Sequence, residues 1–399
     1  MSTRDVVITG IGPVSAIGTG RAATRQALES ARSGIHDITL FDVEGMPTRR
    51  AAEIRDFDLE QILETRQSYL DRASQFALGA TQLALDDAGL SREDVTNAAL
   101  FYGSAFGCMD TMALFFEDIA TKGPRLVKPF LFPHTYSNTP ISLIAIEFGI
   151  CGYHANYASG NVASGCAIID AYDRIRTGRC DLALAGGVDA LSLAAYEGLG
   201  ELGELSPGEG GDECCAPFSA RRNGTVLGEG AVTVVLESRD HAHERGAAIL
   251  GEITGASLAA GVESGGYAAT VHQALAAATT QTPHAICAGG NGSVEQDLWL
   301  GAGIGAFLAE QPNPIPVTSL VPIFGNTGGC ASALQCAAAI LIMESGVLPA
   351  TLNADDPDPA ATVVPITDST REAPLENMLV TTADPGGTVA TLSLCKGNT

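Results

Sequence analysis

Basic residues are scarce in this sequence. Lys and Arg together number 22 against 46 Asp and Glu, only three of the basic residues are Lys, and the formal net charge is −24. A surface this acidic repels phosphate backbones and anionic lipid headgroups. We therefore predict no nucleic-acid partner and no association with a membrane surface.

Long apolar runs are also missing. No segment approaches the ~20 apolar residues of a membrane span, and the longest run, Ala337–Met343, has a pattern typical of a buried helix. The apolar stretch Val6–Gly10 is too short for the hydrophobic region of a signal peptide. These observations predict a cytoplasmic protein.

Metal and cofactor patterns are absent as well. The ten Cys residues show neither C-x-x-C nor Cys/His ligand spacing, which favours buried, reduced side chains. The glycines at positions 10, 12 and 18 do not fit the dinucleotide fingerprint, and Pro13 interrupts them. We predict no metal and no cofactor.

The 399 residues are enough for two domains or one large α/β unit. Apolar, β-branched runs predict strands at Asp5–Gly10, Ala98–Tyr102, Leu182–Ala185 and Ala231–Leu236. Helical spacing predicts helices at Arg21–Ser30, Ser68–Ala88, Ile141–Phe148 and Ala163–Thr177. The first strand is expected to end in a turn at Gly10–Pro13. This alternation predicts a parallel or mixed sheet covered by helices on both faces.

Two sequence patterns of the first part of the chain, an apolar strand and a helix start, recur with weak similarity in the second part. Asp181–Gly187 and His284–Gly290 are both apolar strands that end in a Gly pair, and we interpret them as counterparts. Asn161–Ala167 and Asn326–Ala331 each open a helix rich in small residues, which is typical of helices packed closely at the centre of a fold. We predict two related halves, 1–247 and 248–399, joined near Arg245–Gly251.

Several segments, in order and spacing, carry a family pattern. They are Val7–Gly12, Ala52–Asp58, Gly123–Arg125, Pro129–Pro133, Pro217–Ala231, Leu236-Glu237 and His241–Gly246. The most specific is Pro217-Phe-Ser-Ala-Arg-Arg-Asn-Gly-Thr-Val-Leu-Gly-Glu-Gly-Ala231. Together they resemble the β-ketoacyl synthases, which elongate fatty acids and polyketides on acyl carrier protein. The resemblance implies an α/β thiolase-like fold, with two related αβαβα halves and central buried helices.

The resemblance also implies where catalytic side chains belong. The family places a Cys nucleophile at the start of the first central helix and two His residues in turns of the second half. Here those positions hold Asn161, Gly289 and Asn326, with Asp297 marking the register of Gly289. An amide is not a nucleophile, so we predict no catalytic residue. An alternative is that Asn161 simply caps its helix.

Other groups near these positions are poor substitutes. Cys166 lies five residues beyond Asn161 and projects about 140° away around the helix, and Cys330 lies four residues beyond Asn326. Ser159 and Ser164 have no His beside them when the sequence is aligned with the family pattern. The Gly-Phe-Gly-Gly-like gate of the family is replaced by Ala383-Asp-Pro-Gly-Gly387.

A ketosynthase scaffold without its triad resembles the chain-length factor of type II polyketide synthases. The resemblance implies a heterodimer with an active ketosynthase, in which this chain shapes the acyl tunnel and acyl carrier protein docks mainly on the partner. The candidate tunnel or dimer-contact residues are Phe106, Met109, Met112, Phe115, Phe116, Phe132, His134 and Tyr136. For each of them, an ordinary core or contact role is the alternative.

Two other functions stay open from the sequence. One is a thiolase-fold acyltransferase or ketosynthase with a nonstandard nucleophile, and the other is a homodimeric pseudoenzyme that binds acyl chains. The product class also follows only from resemblance. Chain-length factors of aromatic systems typically carry Gln at the position of Asn161, so a polyene product is favoured over an aromatic one.

Overall fold

The computed structural model describes residues 3–397 apart from residues 68, 209, 262–263, 369–370 and 373–374. The strands are β1 (Val6–Ser15), β2 (Gly18–Thr19), β3 (His36–Asp37), β4 (Arg50–Ala51), β5 (Ala99–Gly103), β6 (His154–Tyr157), β7 (Leu182–Asp189), β8 (Gly230–Ser238), β9 (Gly251–Ala260), β10 (Ala285–Ala288), β11 (Val317–Thr318), β12 (Val347–Leu348), β13 (Arg371–Glu372), β14 (Asn377–Ala383) and β15 (Thr388–Lys396). The helices are α1 (Arg21–Glu29), α2 (Arg72–Ala88), α3 (Met109–Lys122), α4 (Thr139–Phe148), α5 (Ala163–Arg176), α6 (Leu193–Glu201), α7 (Arg239–Glu244), α8 (Ser264–Ala278), α9 (Val294–Ala309), α10 (Val321–Phe324) and α11 (Ala331–Ser345).

The helix α2 begins at Arg72, four residues later than the sequence predicts. Asp71 caps the helix, because its Oδ1 accepts a hydrogen bond from the backbone N–H of Ser74 at 2.9 Å. Ser68, the predicted first residue, lies outside the described residues. The C-terminal cap is Gly89 in the left-handed conformation that favours glycine.

Strand β1 runs straight through the segment Gly10–Pro13, so the predicted turn there is wrong. The glycines serve a different purpose. A Cβ on Gly10 would lie 2.5 Å from the carbonyl oxygen of Ala84, and one on Gly12 would lie 1.9 Å from that of Ala80. Both glycines therefore let α2 lie directly against the strand.

The strands form two groups of five with the same internal order. The first group runs β6-β5-β7-β8-β1 and the second runs β11-β10-β14-β15-β9. Numbering each group along the chain gives the order 3-2-4-5-1 twice, with matching parallel and antiparallel neighbours. Antiparallel pairing of β1 with β9 joins the groups. The predicted boundary at residue 247 falls between α7 and β9.

This topology corrects the predicted pairing of the repeats. Counting strands in each group makes β14 the counterpart of β7, and makes β5 the counterpart of β10. Matching Asp181–Gly187 with His284–Gly290 was therefore wrong. Local composition misled the comparison, because strands that lie against closely packed helices share small residues wherever they fall in the order. The predicted pairing of the two central helices agrees with the topology.

The helices α5 and α11 lie between the two groups of strands and contact each other. The helix α2 covers the outer face of the first group, and α8 and α9 cover that of the second. Small residues permit this stacking, since a Cβ on Gly165 of α5 would lie 2.8 Å from Ser332 Oγ of α11. The thiolase-like fold is confirmed, and the two halves, with one group of strands each, together form a single five-layered αβαβα arrangement.

The apolar character of α11 follows from its central position. Within the described residues, one helical run, Gly328–Ser345, is long and apolar enough to cross a membrane, and 83% of it is buried inside the protein. The prediction that Ala337–Met343 belongs to a buried helix is confirmed. A helix with neighbours on every side has no need of a polar face.

Glu229 is a fully buried carboxylate immediately before β8. It accepts hydrogen bonds from the backbone N–H of Ile54 at 2.7 Å and of Leu191 at 3.0 Å. The Nε of Arg72 donates to its Oε2 at 2.8 Å. A buried charge is tolerated only with such partners, so this carboxylate ties the start of α2 to the strand behind it.

Replacing this carboxylate with an amide (Glu229→Gln) should lower the free energy of unfolding by about 3 kcal/mol, because the charge of Arg72 loses its buried partner. The matched control is Glu29→Gln, which removes a carboxylate from an exposed pair with Arg25. That change should cost less than about 0.5 kcal/mol. Urea unfolding of both variants provides the measurement, and equal losses would contradict the role assigned to Glu229.

Candidate functional site

Both central helices begin in the same way. A short 3₁₀ turn, Gly160–Val162, precedes α5, and a second one, Gly328–Cys330, precedes α11. The first glycine of each turn is left-handed, with φ of +56° at Gly160 and +54° at Gly328. Asn161, the second residue of the first turn, donates its backbone N–H to Asp384, which directly follows the fourth strand of the second half. Gly329, the second residue of the other turn, donates its backbone N–H to Asp189, which ends the fourth strand of the first half. The two halves therefore hold each other's helix starts.

Asp189 holds the start of α11. This fully buried carboxylate accepts hydrogen bonds from Ser104 Oγ at 2.7 Å and from the backbone N–H groups of Ala105 and Phe106 at 2.8 and 2.9 Å. The fourth donor is the backbone N–H of Gly329. Burial raises the pKa of Asp189, and the four donors oppose that rise.

Asp384 holds the start of α5, but in a more open setting. Its Oδ2 accepts from the backbone N–H of Asn161 at 3.1 Å, and its Oδ1 accepts from that of Gly386 at 2.9 Å. The side chain is half-buried. A Cβ on Gly160 would lie 1.8 Å from Oδ2, so the carboxylate fits only because residue 160 is glycine. The next residue, Pro385, has no N–H to offer.

A cavity of about 290 Å³ opens at the meeting point of the two helix starts. Asn161 and Asn326 both line it, so the structure brings together two of the three positions predicted to have lost catalytic side chains. Gly289 does not line it. A Cβ there would lie 3.1 Å from the carbonyl oxygen of Thr381, which leaves little room for a larger side chain.

The cavity is acidic and rich in amides. Asp384 and Glu204 contribute carboxylates to its wall, and within the described part of the chain no Cys, His, Lys or Arg lines it. The Oδ1 of Asn326 accepts from the backbone N–H of Gly328 at 3.3 Å. The cap positions of the turn and of α5 are Ser159 and Val162, so Asn161 lies inside the turn and is not its capping residue.

The nearby sulfur and hydroxyl groups are engaged elsewhere. Burial raises the pKa of Cys166 and of Cys330, which keeps both thiols protonated near neutral pH. Neither sulfur lines the cavity. Ser164 Oγ accepts the backbone N–H of Ala333 at 3.0 Å and so joins the two central helices. None of these groups is placed or ionised to act as a nucleophile.

Two buried polar atoms in the cavity wall have no partner among the described residues. They are Gln296 Oε1 and Thr225 Oγ1. The Nε2 of Gln296 donates to the carbonyl of Ala383 at 3.1 Å, which orients the free oxygen. Unpaired buried polar atoms are uncommon, and each of these two atoms exposes less than 1 Å² of surface, so neither is available to a molecule in the cavity. No sequence pattern predicted a role for either residue.

Asp297 fixes the loop that forms one wall. Its carboxylate accepts from the backbone N–H groups of Phe218, Asn291 and Gly292 at 2.9, 2.9 and 3.1 Å. Burial raises its pKa to about 6, against the effect of these donors and of nearby Arg222. The residue that marked the register in the sequence is thus a buried organiser of the site.

The eight residues predicted for the tunnel or dimer contact separate in the structure. Phe106 lines the cavity. The other seven lie on or after α3: Met109, Met112, Phe115, Phe116, Phe132, His134 and Tyr136. Among these, Phe116, Phe132 and Tyr136 are exposed by 59%, 49% and 48% of their surface. The sequence did not predict that these aromatic side chains would face outward.

These three exposed rings and the half-buried ring of Phe115 form a continuous aromatic surface. Ring centroids of Phe115 lie 5.9 Å from Phe116 and 5.6 Å from Phe132, and those of Phe132 and Tyr136 are 5.3 Å apart. Close by, His134 Nδ1 is buried and has no partner in the described part of the chain. Clustered exposed aromatic rings are typical of a surface that another molecule covers.

Comparison with known proteins gives consistent matches over the full length. Residues 3–242 match the beta-ketoacyl synthase N-terminal domain, and residues 250–355 match the C-terminal domain. The 3-oxoacyl-acyl-carrier-protein synthase 2 of Coxiella burnetii is 28% identical over 99% of both chains. The solved ishigamide ketosynthase/chain length factor is 29% identical, with a TM-score of 0.92 over 100% of both chains.

A second solved structure is AntDE:AntF, a type II polyketide synthase acyl-carrier protein in complex with its ketosynthase bound to the hexaketide. It is 25% identical, with a TM-score of 0.86 over 99% of this chain and 100% of that chain. The similarity therefore extends to a ketosynthase of a type II polyketide synthase as well as to a 3-oxoacyl-acyl-carrier-protein synthase.

The pKa of Asp297 predicts a pH effect on stability. The pKa is about 6 in the folded protein and about 3.9 in an unfolded chain. The folded state therefore binds this proton more tightly, and the resulting stabilisation is complete below about pH 4 and is lost as the pH rises through 6. Relative to an Asp297→Asn variant, the native chain should lose about 2–3 kcal/mol of unfolding free energy between pH 4 and pH 7.

The control for this measurement is Asp368→Asn, which removes the same charge from an exposed loop. Its unfolding free energy should follow that of the native chain across the pH range. Chemical denaturation at each pH measures the free energy of unfolding of all three proteins. Curves for Asp297→Asn that run parallel to the native ones would show that Asp297 is already ionised at pH 4.

Proposed function

This chain belongs to the β-ketoacyl synthase family, and within that family we propose that it is a chain-length factor, a non-catalytic subunit that pairs with an active ketosynthase. The partner carries out decarboxylative Claisen elongation on acyl carrier protein, and this chain shapes the tunnel that receives the growing acyl chain. The observation that carries the proposal is the cavity at the helix starts. Its described wall offers amides and carboxylates where elongation needs a thiol and imidazoles.

The aromatic surface formed by Phe115, Phe116, Phe132 and Tyr136 supports the pairing. Burying exposed rings against a second subunit gains roughly 25 cal/mol for each Å² of apolar surface removed from water. The structural similarity to the ishigamide ketosynthase/chain length factor favours an active ketosynthase as that subunit.

In this arrangement the partner supplies the catalytic side chains, and this chain determines the shape of the tunnel. The partner's thiol would hold the acyl group, and its imidazoles would assist loss of CO₂ from the extender unit. This chain contributes apolar wall, because aromatic side chains near α3 fill space that a longer acyl chain would need. Forcing additional methylenes into a packed cavity costs about 1–3 kcal/mol, which is enough to favour release at a defined length.

The charge of this chain supports docking of the carrier protein on the partner. Acyl carrier proteins are acidic, and this chain has a net charge of −24. Its adjacent pair Arg221 and Arg222 is already neutralised, by Asp355 and Asp358 respectively. Repulsion between two acidic surfaces slows association and weakens binding.

The product class rests on Asn161. Aromatic systems typically carry Gln at this position, and the shorter amide found here favours a polyene product. Absorption spectra of the product made by the reconstituted complex distinguish a conjugated polyene from a fused aromatic system.

Loading with an electrophile tests the absence of a nucleophile. The probe is acyl carrier protein that carries an electrophilic thioester analogue, added to this chain co-expressed and co-purified with a ketosynthase that has an intact Cys and two His residues. We expect a 1:1 complex, one covalent adduct on the ketosynthase, and cross-links to the carrier protein mainly on that subunit. Peptide mass spectrometry maps the sites.

Other outcomes of this experiment support the competing functions. A stoichiometric adduct on this chain would indicate an enzyme with a nonstandard nucleophile. A stable homodimer that ignores the ketosynthase would indicate an acyl-binding pseudoenzyme. Cross-links concentrated near Arg221 would contradict docking through the partner.

A substitution in the aromatic surface tests the pairing directly. Phe116→Asp should weaken the complex about 30-fold or more, because it removes an aromatic contact worth about 2 kcal/mol and places a charge in the interface. The control is Val364→Asp, at an apolar residue that is 73% exposed but lies away from α3. Titration calorimetry measures the affinity of each variant for the ketosynthase. Equal affinities for the two variants would place the interface elsewhere.

A further inference from the structure

We propose that Asp384 is a second inactivating residue, an internal anion that occupies the site where an acyl oxyanion would otherwise bind. On this view, the loss of a thiol at position 161 is only part of the inactivation. Restoring that thiol alone does not make the chain acylatable. The inference rests on the position of Asn161 in the β-ketoacyl synthase family, and it does not depend on the proposed pairing with a ketosynthase.

The first argument is the hydrogen bond itself. The backbone N–H of Asn161 lies at the start of a buried helix and donates to Asp384 Oδ2 at 3.1 Å. A donor of this kind stabilises the negative oxygen of a tetrahedral intermediate when a thiol on the same residue attacks a carbonyl. Here a carboxylate oxygen already accepts it, so an acyl oxygen arriving at this point meets an anion instead of a donor.

The second argument is the comparison with Asp189. Both aspartates hold a helix start of the opposite half, but Asp189 is fully buried and accepts from four donors. Asp384 is half-buried and accepts from two. Asp189 is therefore required by the packing of its surroundings. Asp384 reaches into a cavity, and fewer contacts of the fold depend on it.

The third argument is the electrostatics of the cavity. Glu204 also lines this cavity, and no Lys, Arg or His is among the lining residues that the structure describes. Pro385 follows Asp384 and provides no N–H. A thiol placed at residue 161 would lie beside a like charge, which disfavours the thiolate and raises the thiol pKa.

The acyl transfer that Asp384 would block can be written explicitly. The thiolate sulfur attacks the carbonyl carbon of a thioester, a C–S bond forms, and the C–O π pair moves onto oxygen. Collapse of this intermediate breaks the original C–S bond and expels the carrier thiolate, which takes a proton from water. The intermediate requires an unoccupied N–H at residue 161, and the attack requires an ionised thiol. Asp384 opposes both.

Three variants of the full chain separate these effects: N161C, N161C/D384N and N161C/D384G. Iodoacetamide alkylation measured against pH reports the pKa of the introduced thiol. Removing the charge in N161C/D384N should lower that pKa by about one unit or more and speed alkylation at pH 7 about tenfold. Removing the whole side chain in N161C/D384G should also free the N–H. Only this variant should accept the acyl group of S-hexanoyl-N-acetylcysteamine at an appreciable rate.

Peptide mass spectrometry assigns modification to residue 161, which is necessary because Cys151 is exposed and other native thiols are partly exposed. The control N161C/D368N loses the same charge at an exposed position and should behave like N161C. Thermal melting of every variant confirms that each is folded. Equal alkylation and acylation of N161C and both Asp384 double variants would overturn the proposal, as would an equal gain in the control.

Discussion

The reciprocal hydrogen bonds between Asp189, Asp384 and the two helix starts constrain the rest of the structure. Each bond links the fourth strand of one half to the first turn of the other half's central helix. The donors lie at the positive end of a helix dipole, where a carboxylate is favourable. Two helices that begin against the opposite half must meet at their first turns, and the cavity lies where they meet.

The position of the site thus follows from the fold and does not depend on the presence of catalytic side chains. Small residues bring α5 and α11 together, and the left-handed glycines Gly160 and Gly328 turn the chain into each helix. These requirements are the same whether residue 161 is a nucleophile or an amide. A scaffold of this kind loses catalysis with little effect on its packing, which explains how a degenerate member keeps the five-layered fold of its family.

The sequence predicted much of this architecture, and its failures have physical reasons. Strand and helix patterns are local, so β7, β8 and α5 were placed within a few residues. Contacts between distant residues leave no local pattern. Asp384 and Asn161 are 223 positions apart, and Glu229 and Arg72 are 157 apart. The changed turn at 383–387 was visible in the sequence, but its consequence required coordinates. Alternation and spacing also did not reveal that the aromatic residues near α3 face solvent.

A backbone N–H at a helix start has no partner within its own helix and lacks an acceptor when no acyl oxygen binds beside it. An unpaired buried donor costs about 1–3 kcal/mol, so a stable degenerate site needs a replacement acceptor from the protein or from a bound molecule. Asp384 provides one for residue 161, at the expense of placing a negative charge where acyl chemistry forms one. Gln296 Oε1 and Thr225 Oγ1 still lack partners in the described structure. The helix start therefore has an acceptor from within this chain, whereas two buried polar atoms behind the cavity wall have none among the described residues.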